Sequence, residues 1–217
     1  IEFDGAVGGN AALGAIGITG ALDLDADITS ASSLSVSTTS NLGADVTTSG
    51  TQQYDGAVTL SADVILTTTN NNATFGSTID SDGTARDLTL TLGSGSASVT
   101  GIVGTTALDV LTLNSSSSFT AAVTASSIVN AASKTATFSD AVTANITNSG
   151  TLLFDTSADK SVTGAISEAA GGDTTEIKVI DSANGAPATV TFTGTIAADT
   201  LTVGTTSKAG AALFEDD

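Results

Sequence analysis

Aspartate is the residue whose type and spacing in this sequence could do chemistry. Nineteen of the 23 acidic residues are aspartate, and several recur at alternating positions. Carboxylate oxygens are hard ligands of the kind that calcium prefers. The candidate metal ligands, with calcium as the candidate cofactor, fall into two groups: Asp23, Asp25, Asp27 and Asp80, Asp82, Asp87.

The two groups differ in the geometry that their surroundings predict. Residues 22–28 alternate strictly between apolar and acidic side chains, which predicts a half-buried strand. Alternate side chains on a strand lie about 7 Å apart, too far for one ion without help from a loop. A solvated acidic face is therefore the competing interpretation of the first group. A turn predicted over residues 80–83 could bring the second group closer together.

Paired carboxylates could also hydrolyse glycosidic bonds. The chain has no histidine and no cysteine, which excludes imidazole bases, thiolate nucleophiles and the usual zinc sites. It has no tryptophan, one tyrosine and one arginine, whereas sugar-cleaving sites usually add aromatic platforms and basic residues. We predict that the chain is not an enzyme and name no catalytic residue. A polysaccharide-acting β-helix enzyme is the remote alternative.

The charge of the chain excludes some partners. The formal net charge is −18, and such a surface repels phosphate backbones and anionic membranes. No apolar run reaches the length that spans a bilayer. We therefore expect neither nucleic-acid binding nor membrane insertion.

Short apolar segments that recur along the chain must position these side chains. The pattern Ser-Gly-Thr, two variable residues, an aromatic and Asp occurs at 49–55 and again at 149–155. A restart of the opening segment is expected near residues 3, 99 and 192. Between these points aromatic residues follow one another at intervals of roughly twenty: Tyr54 to Phe75, Phe119 to Phe138, Phe138 to Phe154, and Phe192 to Phe214.

This spacing predicts an all-β chain folded as a parallel β-solenoid, a single repetitive domain over residues 1–217. Each rung of about twenty residues would give two or three short strands, and stacked rungs would form the core. Phenylalanines would align as an internal column. Tandem β-sandwich domains are the alternative, although sandwiches usually carry longer strands and more Trp, Tyr and Pro.

The aromatic-Asp-Gly-Ala-Val segments, the Ser-Gly-Thr-x-x-aromatic-Asp motif and the Ser/Thr/Ala-rich filler resemble bacterial surface proteins. The similarity is to the repeats of filamentous-haemagglutinin-like and autotransporter adhesins. The acidic, cysteine-free composition also resembles surface-layer and extracellular filament proteins. The resemblance implies a right-handed parallel β-helix, secretion to the cell surface, and an adhesive or structural role. It supplies no catalytic residue.

Both ends of the sequence resemble open rungs without a polar cap. The residues expected to form these self-assembly ends are Ile1, Phe3, Asp4, Leu213 and Phe214. Exposed strand edges favour association, so we expect head-to-tail stacking into a filament or surface layer. A stretch of a longer array, such as an adhesin stalk, would expose similar ends. Glycans or host and cell surfaces are further expected partners.

Overall fold

A computed structural model of the chain describes residues 1–170, 175–181, 187–204 and 208–215. These residues form strands and turns and contain no helix. The strands are β1 Glu2–Phe3, β2 Leu13–Ile18, β3 Leu22–Leu24, β4 Ile28–Val36, β5 Ser40–Leu42, β6 Val46–Thr48, β7 Gln52–Tyr54, β8 Val58–Leu60, β9 Val64–Thr68, β10 Ala73–Phe75, β11 Ile79–Ser81, β12 Leu88–Thr91, β13 Ala97–Val99, β14 Val103–Leu113, β15 Ser117–Phe119, β16 Val123–Asn130, β17 Thr135–Phe138, β18 Val142–Asn148, β19 Thr151–Asp155, β20 Lys160–Thr163, β21 Ile166–Glu168, β22 Glu176–Ile180, β23 Thr189–Phe192, β24 Thr200–Val203 and β25 Ala211–Phe214.

The strands stack into three parallel faces, so the chain is a parallel β-solenoid, as the sequence predicts. Face A contains β2, the end of β4, β7, β10, β13, β15, β17, β19, β22 and β24. Face B contains β1, β3, β5, β8, β11, the starts of β14, β16 and β18, and then β20, β23 and β25. Face C contains the start of β4, β6, β9, β12, the ends of β14, β16 and β18, and β21.

Residues at equivalent positions of successive rungs lie directly above one another. On face A the separations run from 16 residues, between Phe138 and Phe154, to 25 residues, between Phe154 and Val179. The rung length of about twenty residues is therefore confirmed, with the variation taken up in the corners between faces.

The Ser-Gly-Thr motif is the corner through which the chain enters face A. A Cβ atom on Gly50 would lie 2.4 Å from the carbonyl oxygen of Ser32 in the preceding rung. A Cβ atom on Gly150 would lie 2.3 Å from the carbonyl oxygen of Lys134. Real Cβ atoms do not approach backbone so closely, so glycine lets one corner pack against the corner below it.

The expected strand over residues 22–28 is wrong in its extent. The strand β3 ends at Leu24, the chain bends, and β4 begins at Ile28. The alternation of apolar and acidic residues continues through this bend because inward-facing positions alternate on both sides of the corner. The expected restarts near residues 3 and 192 both lie on face B, whereas Val99 lies on face A.

Aromatic rings stack inside the solenoid. The Tyr54 and Phe75 centroids are 5.2 Å apart, and those of Phe119 and Phe138 are 5.3 Å apart. Phe154 continues this column at 5.6 Å from Phe138. The rings of this column are fully buried. The expected internal column of aromatic residues is therefore present on face A, with Val99 separating its two segments.

Buried amides form a second stack, at the corner between faces C and A. The Asn130 Nδ2 donates to Asn148 Oδ1 at 2.8 Å, and both side chains are buried. Asn148 Nδ2 donates to the Gly150 carbonyl at 2.9 Å, and Gly150 N donates to Asn148 Oδ1 at 3.1 Å. Buried backbone groups need hydrogen-bond partners. At this corner, where the strand ladder is interrupted, the Asn148 amide supplies partners to the backbone of Gly150.

We predict that Phe138→Ala lowers the free energy of unfolding by about 3–5 kcal/mol, since it removes a fully buried ring between two others. Thr137→Ala is the matched control, because Thr137 is adjacent in sequence but faces outward. It should change the free energy by less than about 0.5 kcal/mol. Urea unfolding followed by circular dichroism measures both. Equal losses in the two variants would contradict the packing role of the ring.

Candidate functional site

Three carboxylates meet at the first rung of the solenoid. Glu2, Asp4 and Asp25 each offer an oxygen, and these oxygens lie within 4.8 Å of one another. All three residues are exposed. The pairing of β1 with β3 sets Glu2 opposite Asp23, which brings the segment after β1 alongside the segment after β3. Among the described residues this is the one such group of three acids.

The crowding of these acids perturbs Glu2. The nearby charge of Asp4, followed by that of Asp23, raises the pKa of the Glu2 carboxyl. A hydrogen bond with Asp4 and the charge of Asp25 act in the same direction. Like charges disfavour the ionised form, and a proton or a cation would relieve the repulsion. Carboxylates with this arrangement can therefore hold a hard cation, although exposed acids are common without one.

The first predicted group of metal ligands is divided by the corner after β3. Asp25 belongs to the first-rung cluster, whereas Asp23 Oδ1 accepts a hydrogen bond from Asn41 Nδ2 at 2.7 Å. Asp27 Oδ1 accepts from the backbone N–H of Asp45 at 3.1 Å. The structure thus joins one member of the predicted group to Glu2 and Asp4, two residues that the metal prediction did not include.

The second predicted group is engaged in other contacts. Asp80 lies within β11, not in a turn, and its Oδ1 accepts from Thr106 N at 3.1 Å. Asp82 forms an ion pair with Arg86, with 2.8 Å between Oδ2 and Nη2, and hydrogen bonding from Arg86 lowers the pKa of Asp82. Asp87 Oδ1 accepts from Val110 N at 3.0 Å. Calcium binding by this group remains a prediction.

A column of aspartates lines the corner between faces B and C. Each precedes a strand segment of face C, and each carboxylate accepts a backbone N–H from the next rung. The distances from the aspartate Oδ1 to the donating backbone N are 3.1 Å from Asp27 to Asp45, 2.7 Å from Asp45 to Ile65, 3.0 Å from Asp63 to Asp87, and 3.0 Å from Asp87 to Val110. Sequence reasoning missed this column. Its signal is an aspartate directly before an apolar strand, repeated in four successive rungs.

The predicted self-assembly residues lie on the first and last rungs. Ile1, Leu213 and Phe214 are 66%, 46% and 51% exposed. Phe3 is half-buried against the core, and Asp4 belongs to the carboxylate cluster. Beside the first rung is an open depression of about 700 Å³ whose lining includes Ile1 and Glu2. No helix in the described ranges is long and apolar enough to cross a membrane.

Substitutions at Asp45 separate the contribution of its hydrogen bond to stability from that of its charge. Asp45→Ala removes the acceptor of the Ile65 N–H and should lower the free energy of unfolding by about 1 kcal/mol. Asp45→Asn is the matched control, because it keeps an acceptor oxygen while removing one negative charge from the column. It should restore most of that loss in urea unfolding experiments. An Asn variant as unstable as the Ala variant would contradict the acceptor role.

The first-rung acids predict a titration effect. Asp4→Asn removes the largest cause of the raised Glu2 pKa, so that pKa should fall toward its ordinary value in a carboxyl-carbon NMR titration. Because the folded-state pKa of Glu2 is raised, folding gains stability as pH falls through it and loses stability as pH rises. Asp55→Asn is the control, since Asp55 lies on another rung and accepts from Gln53. An unchanged Glu2 pKa in Asp4→Asn would show that the cluster does not form.

No protein-family model matches the chain, no curated protein matches it, and no solved structure matches it.

Proposed function

We propose that this chain is an extracellular structural protein whose rungs continue from one copy to the next, giving a head-to-tail filament or surface layer. The observation that carries the proposal is the position of its exposed apolar side chains. Eight large apolar residues of the described chain are exposed, and six of them lie on the first and last rungs: Ile1, Leu13, Leu201, Val203, Leu213 and Phe214. Exposed apolar groups gathered at two ends favour contacts there.

Backbone hydrogen bonding supports the same contacts. Within the described residues, β24 and β25 pair with β22 and β23 on one side only. At the other end β1 and β2 pair with β3 and β4 on one side only. Each terminal rung therefore presents a row of strand edges, and such edges template the addition of further strands.

The inward-facing side chains at the two ends of face B could continue one stack from copy to copy. On face B, Phe214 stacks on Phe192 with ring centroids 5.5 Å apart, and this column runs back through the rungs to Leu22. Ile1 precedes Glu2 and is level with Leu22. A second copy that stacks in the same register would set its Ile1 against Phe214. The contact joins different surfaces of the two copies, so it repeats without closing.

The charge of the ends sets the conditions for stacking. The first rung carries the Glu2, Asp4 and Asp25 cluster, and the last rung carries Glu215. These like charges oppose the apolar contact at low ionic strength, and salt screens them. Calcium would act in the same direction by neutralising carboxylates. Assembly experiments therefore belong in buffers with raised salt or calcium.

An adhesin stalk is the second candidate function. The same one-sided pairing of β24 and β25 would allow further rungs of a longer chain to follow. The resemblance of the motifs to secreted surface proteins supports an extracellular role for either candidate. Electron microscopy separates the two, since a self-assembling subunit gives filaments or sheets from this chain alone, whereas a stalk segment gives isolated rods.

We predict that Val203→Asp weakens elongation, because it places a charge on the last rung where a second copy would bury it. Ile65→Asp is the matched control. Val203 and Ile65 are both 44% exposed, but Ile65 lies on the side of the solenoid, on face C. Val203→Asp should raise the concentration required for filaments by at least about tenfold, equivalent to 1.4 kcal/mol.

Sedimentation velocity and negative-stain electron microscopy measure that concentration. The control variant should assemble as the unmodified chain does. Isolated rods from the unmodified chain at every salt and calcium concentration would overturn self-assembly and favour the stalk.

A further inference from the structure

The first and last strands of the described chain lie on the same face. Both β1 and β25 belong to face B, whereas face A begins with β2 and ends with β24. On face C the first contact is the bridge of Val7 to Ile28, and the last is the bridge of Ile166 to Ile196. The chain therefore passes through faces C, A and B in that order both from Val7 to β3 and from Ile196 to β25.

This order of faces decides how two copies can meet. If β1 of a second copy rested on β25, it would hold Val7 and β2 of that copy one strand position away from Ile196 and β24. A gap of about 4.8 Å, the spacing of neighbouring strands, would then remain on faces A and C. If β25 instead occupied the place of β1 over β3, Val7 would lie on Ile196 and β2 on β24. Direct stacking thus joins one face, whereas exchange of one strand joins all three.

We propose that β25 of one copy displaces β1 of the next copy and pairs with β3 in its place. The inference rests on the proposed head-to-tail assembly and specifies the contact that produces it. An extended segment that is added to a sheet edge gains main-chain hydrogen bonds. The ladder of face B runs without offset from Leu22 to Phe214, so Phe214 takes the place of Ile1. Glu215 then takes the place of Glu2.

The strand β1 is short and is held by few hydrogen bonds. It has two residues. Its pairing with β3 is made by the bonds from Asp23 N to Ile1 O at 2.7 Å and from Asp25 N to Phe3 O at 3.1 Å. The ammonium of Ile1 adds a bond to the carbonyl oxygen of Ala21 at 2.7 Å. Exchange replaces this one short strand by contacts on three faces.

Like charges oppose the docking of β1. Glu2 lies opposite Asp23, and Glu2, Asp4 and Asp25 form the cluster of carboxylates described above. Like charges directly opposite one another on neighbouring strands destabilise their pairing. Displacement of β1 moves Glu2 and Asp4 away from the aspartates of the segment that begins with β3. Glu215 then lies opposite Asp23.

Gly5 provides a hinge for the displacement. A Cβ atom on Gly5 would have no heavy atom within 4 Å apart from those of its chain neighbours, so no packing fixes this residue. Glycine also has the widest choice of backbone conformations. Beyond the hinge, Val7 N donates to the carbonyl oxygen of Asp27 at 2.8 Å. The first four residues can therefore leave while the rest of the first rung stays in place.

Cross-linking between the two ends tests the exchange, because the chain has no cysteine of its own. In a chain with Glu215→Cys and Asp23→Cys, pairing of β25 with β3 sets thiols of two copies opposite one another. Neighbouring strands are about 4.8 Å apart, which suits a disulfide. Glu215→Cys with Glu2→Cys is the matched control. It removes the same charge and sets its thiols opposite one another only in direct stacking.

Under mild oxidation the 215–23 chain should give a ladder of covalent multimers at least about tenfold faster than the 215–2 chain, because pairing raises the local concentration of the thiols. Equal rates, or faster linking of the 215–2 chain, would overturn the exchange and establish direct stacking. Neither ladder in chains that form filaments would also overturn it. Isolated rods under every condition would instead overturn the proposed assembly itself.

A reversible lock on β1 gives the second arm of the test. Glu2→Cys with Asp23→Cys joins paired positions of β1 and β3 within one copy. The oxidised chain should need at least about tenfold more protein to form filaments than the same chain after reduction, which frees β1. Asn41→Cys with Thr59→Cys is the control, since it joins paired positions of β5 and β8 on the same face. Its oxidised and reduced forms should assemble alike. A locked β1 that leaves assembly unchanged would contradict the exchange.

Discussion

The stacking of each rung on the rung before it is the constraint on which the rest of the structure depends. In a parallel ladder the neighbour of every side chain is the residue at the equivalent position one rung away. Like residues therefore stack on like, as Phe119 does on Phe138 and Asn130 does on Asn148. Because each rung buries its inward face only against its neighbours, stability accumulates along the axis and is lowest where a rung has one neighbour.

The same constraint decides the chemistry of the aspartates. Stacking carboxylates above one another would repeat a like-charge contact in every rung. At the corner between faces B and C aspartates do stack in this way, and each carboxylate accepts a backbone N–H from the next rung, as Asp45 does from Ile65. These charge-assisted hydrogen bonds offset the repulsion. Hydrogen bonds at this corner thus account for four of the 23 acidic residues. The first rung differs, because Glu2, Asp4 and Asp25 face one another there.

The rung spacing and the aromatic column could be predicted from the sequence because an in-register stack requires a repeat in the sequence itself. The corners could not, because apolar and polar residues alternate through a bend as they do along a strand. That is why residues 22–28 resemble one strand although the chain turns after Leu24. The buried Asn148 was equally hidden, since asparagine is common in exposed turns and its burial depends on a partner one rung away.

The ends of the solenoid differ from its sides in the apolar surface that they expose. Along the axis, Val203 and Phe214 present apolar surface to whatever rung follows. Elsewhere in the solenoid the stacking of rungs is what buries such side chains, as it does for Val179 and Phe192 one rung earlier. A rung added in register would cover Val203 and Phe214 in the same way, whether it came from a second copy or from a longer chain. The proposed head-to-tail assembly therefore requires no interaction that the solenoid does not already use between its own rungs.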